Sequence, residues 1–391
     1  MDTTLEKRMR RPAGVDAVRV LSIGIVGWFH IWQQSWLSAG RLDLLPRTGY
    51  VWVDMMLLLS AFCLALPYGA DAAMNLEFRG TRGFYGRRLQ RILPVFYVCC
   101  GVHLLVTLAN EGWNNSLWVD IFSHLTLTHS LFAKGYLLTK LGAAGWTVSV
   151  LALFYGLFPL LIRGFQKKPL LTVLAMVAGQ WAYTMCIVQT EGFYYQMRFN
   201  QMPAFLGVFA LGFVLAYLYP RLVQLAKGRF RPAFFTGAML LLWPIWHCLD
   251  RWFAQSDDIQ HQQLIFRMPM ALLFGAFLLL LCLGMGASEP KGFLFFLAGL
   301  TYSFYLWHQS LAVWLKAARI PYWEGDVPPN QMGNQLWMGK YNVMCWALAL
   351  LVAFLSTYLV EKPVLKLIKR IKSGEIQVKP PVFAAKASKT R

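Results

Sequence analysis

The sequence predicts an all-α fold, a polytopic membrane helical bundle of about ten transmembrane helices with both termini cytoplasmic, and three observations carry that prediction. The first is composition: of 391 residues, 57% are hydrophobic and only 14% charged, with a mean hydropathy of +0.46, whereas a soluble domain carries about 25% charged residues. The second is a series of apolar stretches, each near the roughly 20 residues that cross a bilayer. The third is the basic residues, which gather on alternate connections between those stretches.

The first apolar run, about 14–34, follows the basic segment MDTTLEKRMRRPAGVDAVRV. It is long enough to span and lacks an A-x-A-like cleavage site, so it reads as an uncleaved first helix. Runs at about 50–69, 92–109, 146–163, 169–188, 202–219, 232–250, 266–286, 292–316 and 341–360 complete the ten. Leu117 to Phe132 is interrupted by two His and an Asp and reads as an interfacial or re-entrant piece. One side collects Lys7, Arg8, Arg10 and Arg11, then Arg79, Arg82, Arg87, Arg88 and Arg91, then Arg163, Lys167 and Lys168, then Arg221, Lys227, Arg229 and Arg231, and the basic tail after Glu361. The positive-inside rule makes that side cytoplasmic, and Asp250, Asp257 and Asp258 fall on the other. The layout is a basic N-terminus over 1–13, a membrane domain over 14–370 and a basic, disordered tail over 371–391.

Several function classes lack support. The net charge of +19 comes from 37 Lys and Arg against 18 Asp and Glu, but the basic residues sit between apolar runs, next to anionic lipid, so no nucleic-acid partner is expected. Seven cysteines lie in or beside apolar stretches with no CxxC and an odd total, so no disulfide framework and no metal site is expected. There is no GxxxxGK[ST] loop, no GxGxxG after a strand, no HExxH and no HxxxxD. His124 and His129 are five apart, about 140° around a helix, with no other His near them in sequence, which disfavours a histidine-rich di-iron site.

Ionisable residues inside spans are costly and mark function or pair with one another. Arg19 and His30 are eleven residues apart in the first helix, which puts both on one face with a rise of about 16 Å. That stripe offers a fixed cation toward the cytoplasmic end and a titratable imidazole in the outer third. The alternative is Arg19 snorkelling to lipid phosphate and His30 bonded to a neighbouring helix. Asp54, in the outer turns of the second helix, is placed to orient His30 as acids do in triads, or to pair with Arg41 or Arg47. In the ninth helix Tyr302, Ser303, Tyr305, Trp307 and His308 step outward; aromatics there form interfacial belts, and His308 is the least expected member. Arg87 and Arg91 are i,i+4 neighbours with Arg88 beside them, a guanidinium cluster suited to phosphate, or simply positive-inside decoration.

These segments together resemble the acyltransferase-3 family, bacterial integral-membrane O-acyltransferases that acylate cell-envelope and exported carbohydrates. DAVRVLSIGIVGWFH (Asp16 to His30) looks like the family's opening signature, with Arg, ten intervening residues and His. GYVWVDMMLLLSAF (Gly49 to Phe62) is similar to its G-V-D-x-F-F-x-L-S-G-F segment, and FYGRRLQRILPVFY (Phe84 to Tyr97) to its F-x-x-R-R-x-x-R-I-x-P-x-Y loop. WTVSVLALFYGLFP (Trp146 to Pro159) resembles W-S-L-x-x-E-x-x-F-Y, LTYSFYLWHQ (Leu300 to Gln309) resembles Y-S-x-Y-L-W-H, and STYLVEKPVL (Ser356 to Leu365) carries the closing E-K-P. The likeness runs from about residue 13 to 370. Two departures stand out: Leu151 where many members have Glu, and Ala61 where a Gly is expected.

The resemblance implies an acyl donor, acetyl-CoA or another acyl-CoA, held by Arg19, Arg87, Arg88 and Arg91, with transfer to a hydroxyl of an extracytoplasmic carbohydrate acceptor. His30 is the expected general base with Asp54 orienting it; His308, Tyr302 or Ser303 would donate to the oxyanion, and Trp146 and Ser149 would line the acceptor path. An acyl-imidazole on His30 and direct transfer both stay open. The expected location is the bacterial cytoplasmic (inner) membrane, in contact with membrane lipid and with envelope-biosynthesis partner proteins. From composition the competing reading is a secondary transporter or flippase, although no repeat relates two halves. A third is a catalytically silent membrane relative, for which Leu151 is the best motive.

Overall fold

The computed structural model describes residues 12–68, 81–132, 139–189, 198–223, 226, 230–255, 262–286 and 292–373, and every element in them is helical. Most of the expected basic N-terminus, and the tail beyond residue 373, lie outside the described residues. The helices are α1 (Ala13–Ser35), α2 (Trp52–Ala65), α3 (Thr81–Glu111), α4 (Leu117–Leu125), α5 (Trp146–Lys167), α6 (Pro169–Val188) and α7 (Leu206–Leu222). They continue as α8 (Phe230–Leu240), α9 (Leu242–Ala254), α10 (Arg267–Met285), α11 (Phe293–Ala317), α12 (Gln335–Leu355) and α13 (Lys362–Lys372).

Among the described residues eight helices are long and apolar enough to cross a membrane, nine if the pair Gly40–Arg47 and Gly49–Ala65, bent by 46°, is one span. The sequence led us to expect about ten. The stretch that does not qualify is α11: its 25 residues are long enough at about 1.5 Å each, but the polar face that begins at Tyr302 and ends at Ser310 lowers its hydropathy. Helices α8 and α9 are successive pieces of one apolar stretch, Phe230–Ala254.

Helix ends meet in an alternating pattern. At one end the Ala13 N–H donates to the Gly286 carbonyl (2.7 Å), and Arg231 donates to the Met285 carbonyl (2.6 Å). At the other end Lys316 donates to the Gln34 carbonyl (2.6 Å) and the Asn342 amide to Ser35 Oγ (2.8 Å). Lys316 thus satisfies one of the carbonyls that a helix C-terminus leaves open, with a charge that suits its dipole.

Inside the bundle α1 packs against α11, α2 and α10, and α7 against α2, α6 and α10. The interior is aromatic: the rings of Phe154 and Phe209 stack at 3.8 Å, and Phe158 and Phe213 adjoin them. Large apolar side chains such as Leu160, Leu170, Trp243 and Val343 face outward, which water penalises and lipid does not. The α4 segment packs one face against the bundle, with Asp120, Ser123 and His124 buried and Trp118, Phe122 and Leu125 exposed. Tyr97, midway along α3, donates to the Leu125 carbonyl (2.9 Å), and the ring of Phe96 stacks near His124 and His129.

Candidate active site

His30 belongs to α1 and His308 to α11, and the two imidazoles meet, with His30 Nδ1 at 2.9 Å from His308 Nε2. Close approach of the two helices is what permits it. A Cβ on Gly27 would lie 2.7 Å from the Phe304 ring, so a side chain there would push α11 away. Phe304 in turn stacks parallel to His308, at 6° between planes. His308 Nδ1 lies 3.1 Å from the Phe304 carbonyl, and a carbonyl only accepts, so Nδ1 carries the hydrogen. In the neutral pair His308 Nε2 is then the acceptor and His30 Nδ1–H the donor, which leaves the lone pair of His30 on Nε2. His308 is buried and His30 half-buried.

Toward the other end of α1, Arg19 lines a cavity of about 180 Å³ between α1, α2, α3, α5 and α11. Arg88 and Arg91 line it from α3, Ser60 from α2, and Tyr155 and Leu151 from α5. Among the described residues no Asp or Glu lines it, and Leu151 presents an apolar side chain to it. The cavity's wall includes Thr147 and Tyr305, bonded hydroxyl to hydroxyl at 2.9 Å. Tyr305 is one turn below His308. Neither His30 nor His308 lines this cavity, but the ring of Tyr305 in its wall is 5.7 Å from that of His308.

The structure redistributes several expected roles. Asp54 does not orient His30; Arg267 Nε donates to its carboxylate at 3.0 Å, and the guanidinium also donates to the carbonyls of Phe199 (3.0 Å) and Ala204 (3.3 Å). The ion pair is buried at both partners, and the side chain at hydrogen-bond distance from His30 Nδ1 is that of His308. Arg87 is exposed and is not part of the cavity wall, whereas Arg88 and Arg91 are. Tyr302 lines the cavity, but its hydroxyl donates to the Ile92 carbonyl (2.8 Å), and Ser303 bonds Thr357 (2.9 Å). Neither points a donor at the histidines. Ser149 bonds Ser130 (2.7 Å), which ties α5 to the chain after α4, and Trp146 packs beside Phe205. Neither of these two lines the arginine cavity.

Sequence reasoning passed over Arg267, although a lone arginine opening an apolar run is a signal that a buried carboxylate waits for it. It also passed over Thr147 and read Tyr305 only as one of the belt aromatics, because their pairing spans 158 residues, a separation that leaves no local mark.

Over residues 13–362 the chain matches the family model described as an acyltransferase domain. The chain belongs to the acyltransferase-3 family. No curated protein and no solved structure matches it. Membership makes the protein a membrane acyltransferase, and the match covers every residue of the histidine pair and of the arginine cavity.

Proposed function

We propose that the protein moves an acyl group, acetyl in the simplest case, from acyl-CoA on the cytoplasmic side to a hydroxyl of an extracytoplasmic carbohydrate. The observation that carries this reading is the arrangement along α1: a three-arginine cavity at one level and a base with an assigned tautomer at another. Arg19, Arg88 and Arg91 offer charge-assisted hydrogen bonds to the phosphates of the donor, and the basic end is the cytoplasmic one under the positive-inside rule. A pantetheine arm is long and thin enough to climb α1 toward His30.

His30 Nε2 takes the proton of the acceptor hydroxyl as its oxygen attacks the thioester carbonyl carbon. The new C–O bond forms, the C–S bond breaks, and the departing thiolate recovers the proton from His30. His308 holds Nδ1–H in place and disperses the imidazolium charge that forms. General-base catalysis of this kind contributes about 10² to 10⁴-fold. The apolar Leu151 supports a mechanism without a carboxylate in the donor cavity. The reading places the protein in a bacterial inner membrane, with envelope-building enzymes as partners.

The test is transfer from radiolabelled acetyl-CoA by purified wild type and His30→Ala at equal folded yield. A loss of at least a hundredfold is expected, and comparable turnover would remove His30 from the chemistry. Arg19→Ala should raise the acetyl-CoA concentration needed for half-maximal rate; an unchanged donor dependence would make this arginine a membrane anchor.

A further inference from the structure

A second cavity, of about 370 Å³, opens between the last turns of α3 and α11, at the end of α3 opposite Arg88 and Arg91. We propose that it binds a saccharide: a neighbouring sugar of the acceptor chain, held while the reacting sugar is at His30. The identity of that chain rests on the acyl-transfer reading above; the affinity for sugar does not.

The walls are built for neutral polyols. Trp314 supplies an indole and the Gln309 side chain an amide, which makes no hydrogen bond among the described residues. Asn110 has spent an amide N–H on the Val106 carbonyl (2.8 Å), and its oxygen remains an acceptor. His103 lies under the indole, ring centroids 4.7 Å apart, donating from Nδ1 to the Cys99 carbonyl (2.8 Å) and accepting from Ser310 Oγ at Nε2 (2.5 Å). A sugar presents hydroxyls that both donate and accept at its rim and weakly positive C–H groups on its faces. The first suit amides and hydroxyls, and the second suit the negative face of an indole.

Charge argues against an anionic ligand. Among the described residues the lining holds no arginine, and Lys140 there is paired with Glu111 at 2.7 Å. The size is at the low end of the roughly 300–1,000 Å³ of small-molecule sites.

The wall opposite α11 is held in shape from behind. The carboxylate of Asp120, fully buried, accepts from Thr139 Oγ1 (2.8 Å) and from the Lys140 N–H (2.7 Å). Gly142, at φ +109°, lies against the His103 imidazole, where a Cβ would come within 3.5 Å. The backbone conformation favours glycine, while a Cβ would make only ordinary contact with the ring. Gln309 directly follows His308 in α11, while Ser310 and Trp314 are about 200° and 240° around the helix from it. A sugar in this cavity is therefore beside the histidine pair along α11 but on another flank, the place of a neighbouring residue rather than of the reacting one.

The experiment is an array of defined oligosaccharides of neutral and amino hexoses probed with detergent-purified full-length wild type, Trp314→Ala, Trp314→Phe, Gln309→Leu and His30→Ala. Melting temperatures of each variant establish that it is folded. Wild type should retain at least one array member; Trp314→Ala and Gln309→Leu should lose tenfold or more in affinity for it, while Trp314→Phe keeps it within about threefold and His30→Ala, which leaves this cavity's wall intact, still retains it. Retention of no member by wild type, or equal retention by folded Trp314→Ala, overturns the proposal. Acetyl-CoA turnover by wild type is read separately, and its absence strikes the donor reading while the array still decides the saccharide site.

Discussion

His308 offers His30 an acceptor, and under the proposed mechanism that one hydrogen bond chooses which nitrogen of His30 acts as the base. His308→Ala removes the acceptor and frees His30 to adopt either tautomer, so transfer should fall by about two orders of magnitude or more, as when an orienting acid is removed from a triad. His308→Gln keeps an acceptor and should recover part of the rate. The measurement that separates orientation from mere packing is the pH–rate profile, whose acid limb should move in His308→Ala; an unmoved limb with a lowered plateau would make His308 a packing residue. Asp54 makes the opposite prediction. Its partner is Arg267, so Asp54→Ala strands a buried guanidinium and should cost on the order of 3–5 kcal/mol of stability. In whatever folded protein remains, the acid limb of the profile should stay where it is in wild type, and a shift would return Asp54 to His30.

Helices come close in this bundle where small residues let them. Gly212 of α7 faces Ala61 of α2, and a Cβ on Gly212 would fall 2.5 Å from that of Ala61 and 2.8 Å from the Phe62 nitrogen. The departure from the family's Gly at Ala61 is thus accommodated by a glycine across the interface. Gly212→Ala should separate α2 from α7 and lower the melting temperature, and Gly212→Ala/Ala61→Gly should not restore it, because the new Cβ would still meet the Phe62 nitrogen at 2.8 Å and the Leu58 carbonyl at 3.0 Å. The short amphipathic helix α4 and the turn after it carry an acid-sensitive pair. Burial, with His124 stacked 4.2 Å away, pushes His129 from 6.5 down to about 3. Burial alone would raise Asp120, but hydrogen bonds from His124, the Lys140 N–H and Thr139 hold it below its usual range. Both groups therefore bind protons more readily in the unfolded chain, so stability is complete above about pH 7 and declines as pH falls, first through His129 and then, below about 4, through Asp120. The melting temperature should drop between pH 7 and pH 4.5, and His129→Phe should flatten that interval while leaving the decline below it. A slope unchanged in His129→Phe would place the acid sensitivity elsewhere.

At the scale of the whole molecule, spans and connections were legible because each depends on neighbours in sequence: a run of about 20 apolar residues crosses a bilayer whatever it packs against. The alignment of Arg19 with His30 was legible for the same reason, since 3.6 residues per turn is a local property. The count of spans was less so, because α11 carries Tyr302, Ser303, Tyr305, His308, Gln309 and Ser310 within three turns and so falls out of the apolar set despite its length. Which residue answers which across the bundle is a matter of packing between distant segments. His30 meets His308 across 278 positions and Asp54 meets Arg267 across 213, and no periodicity in one helix says which face of another will come to rest against it. The chain's own pattern therefore settles its family, its helices and the residues worth asking about. Their partners, and with them the roles of Asp54, Ser149, Ser303 and His308, follow from close packing, where each buried polar group must find a neighbour and the fold determines which one is within reach.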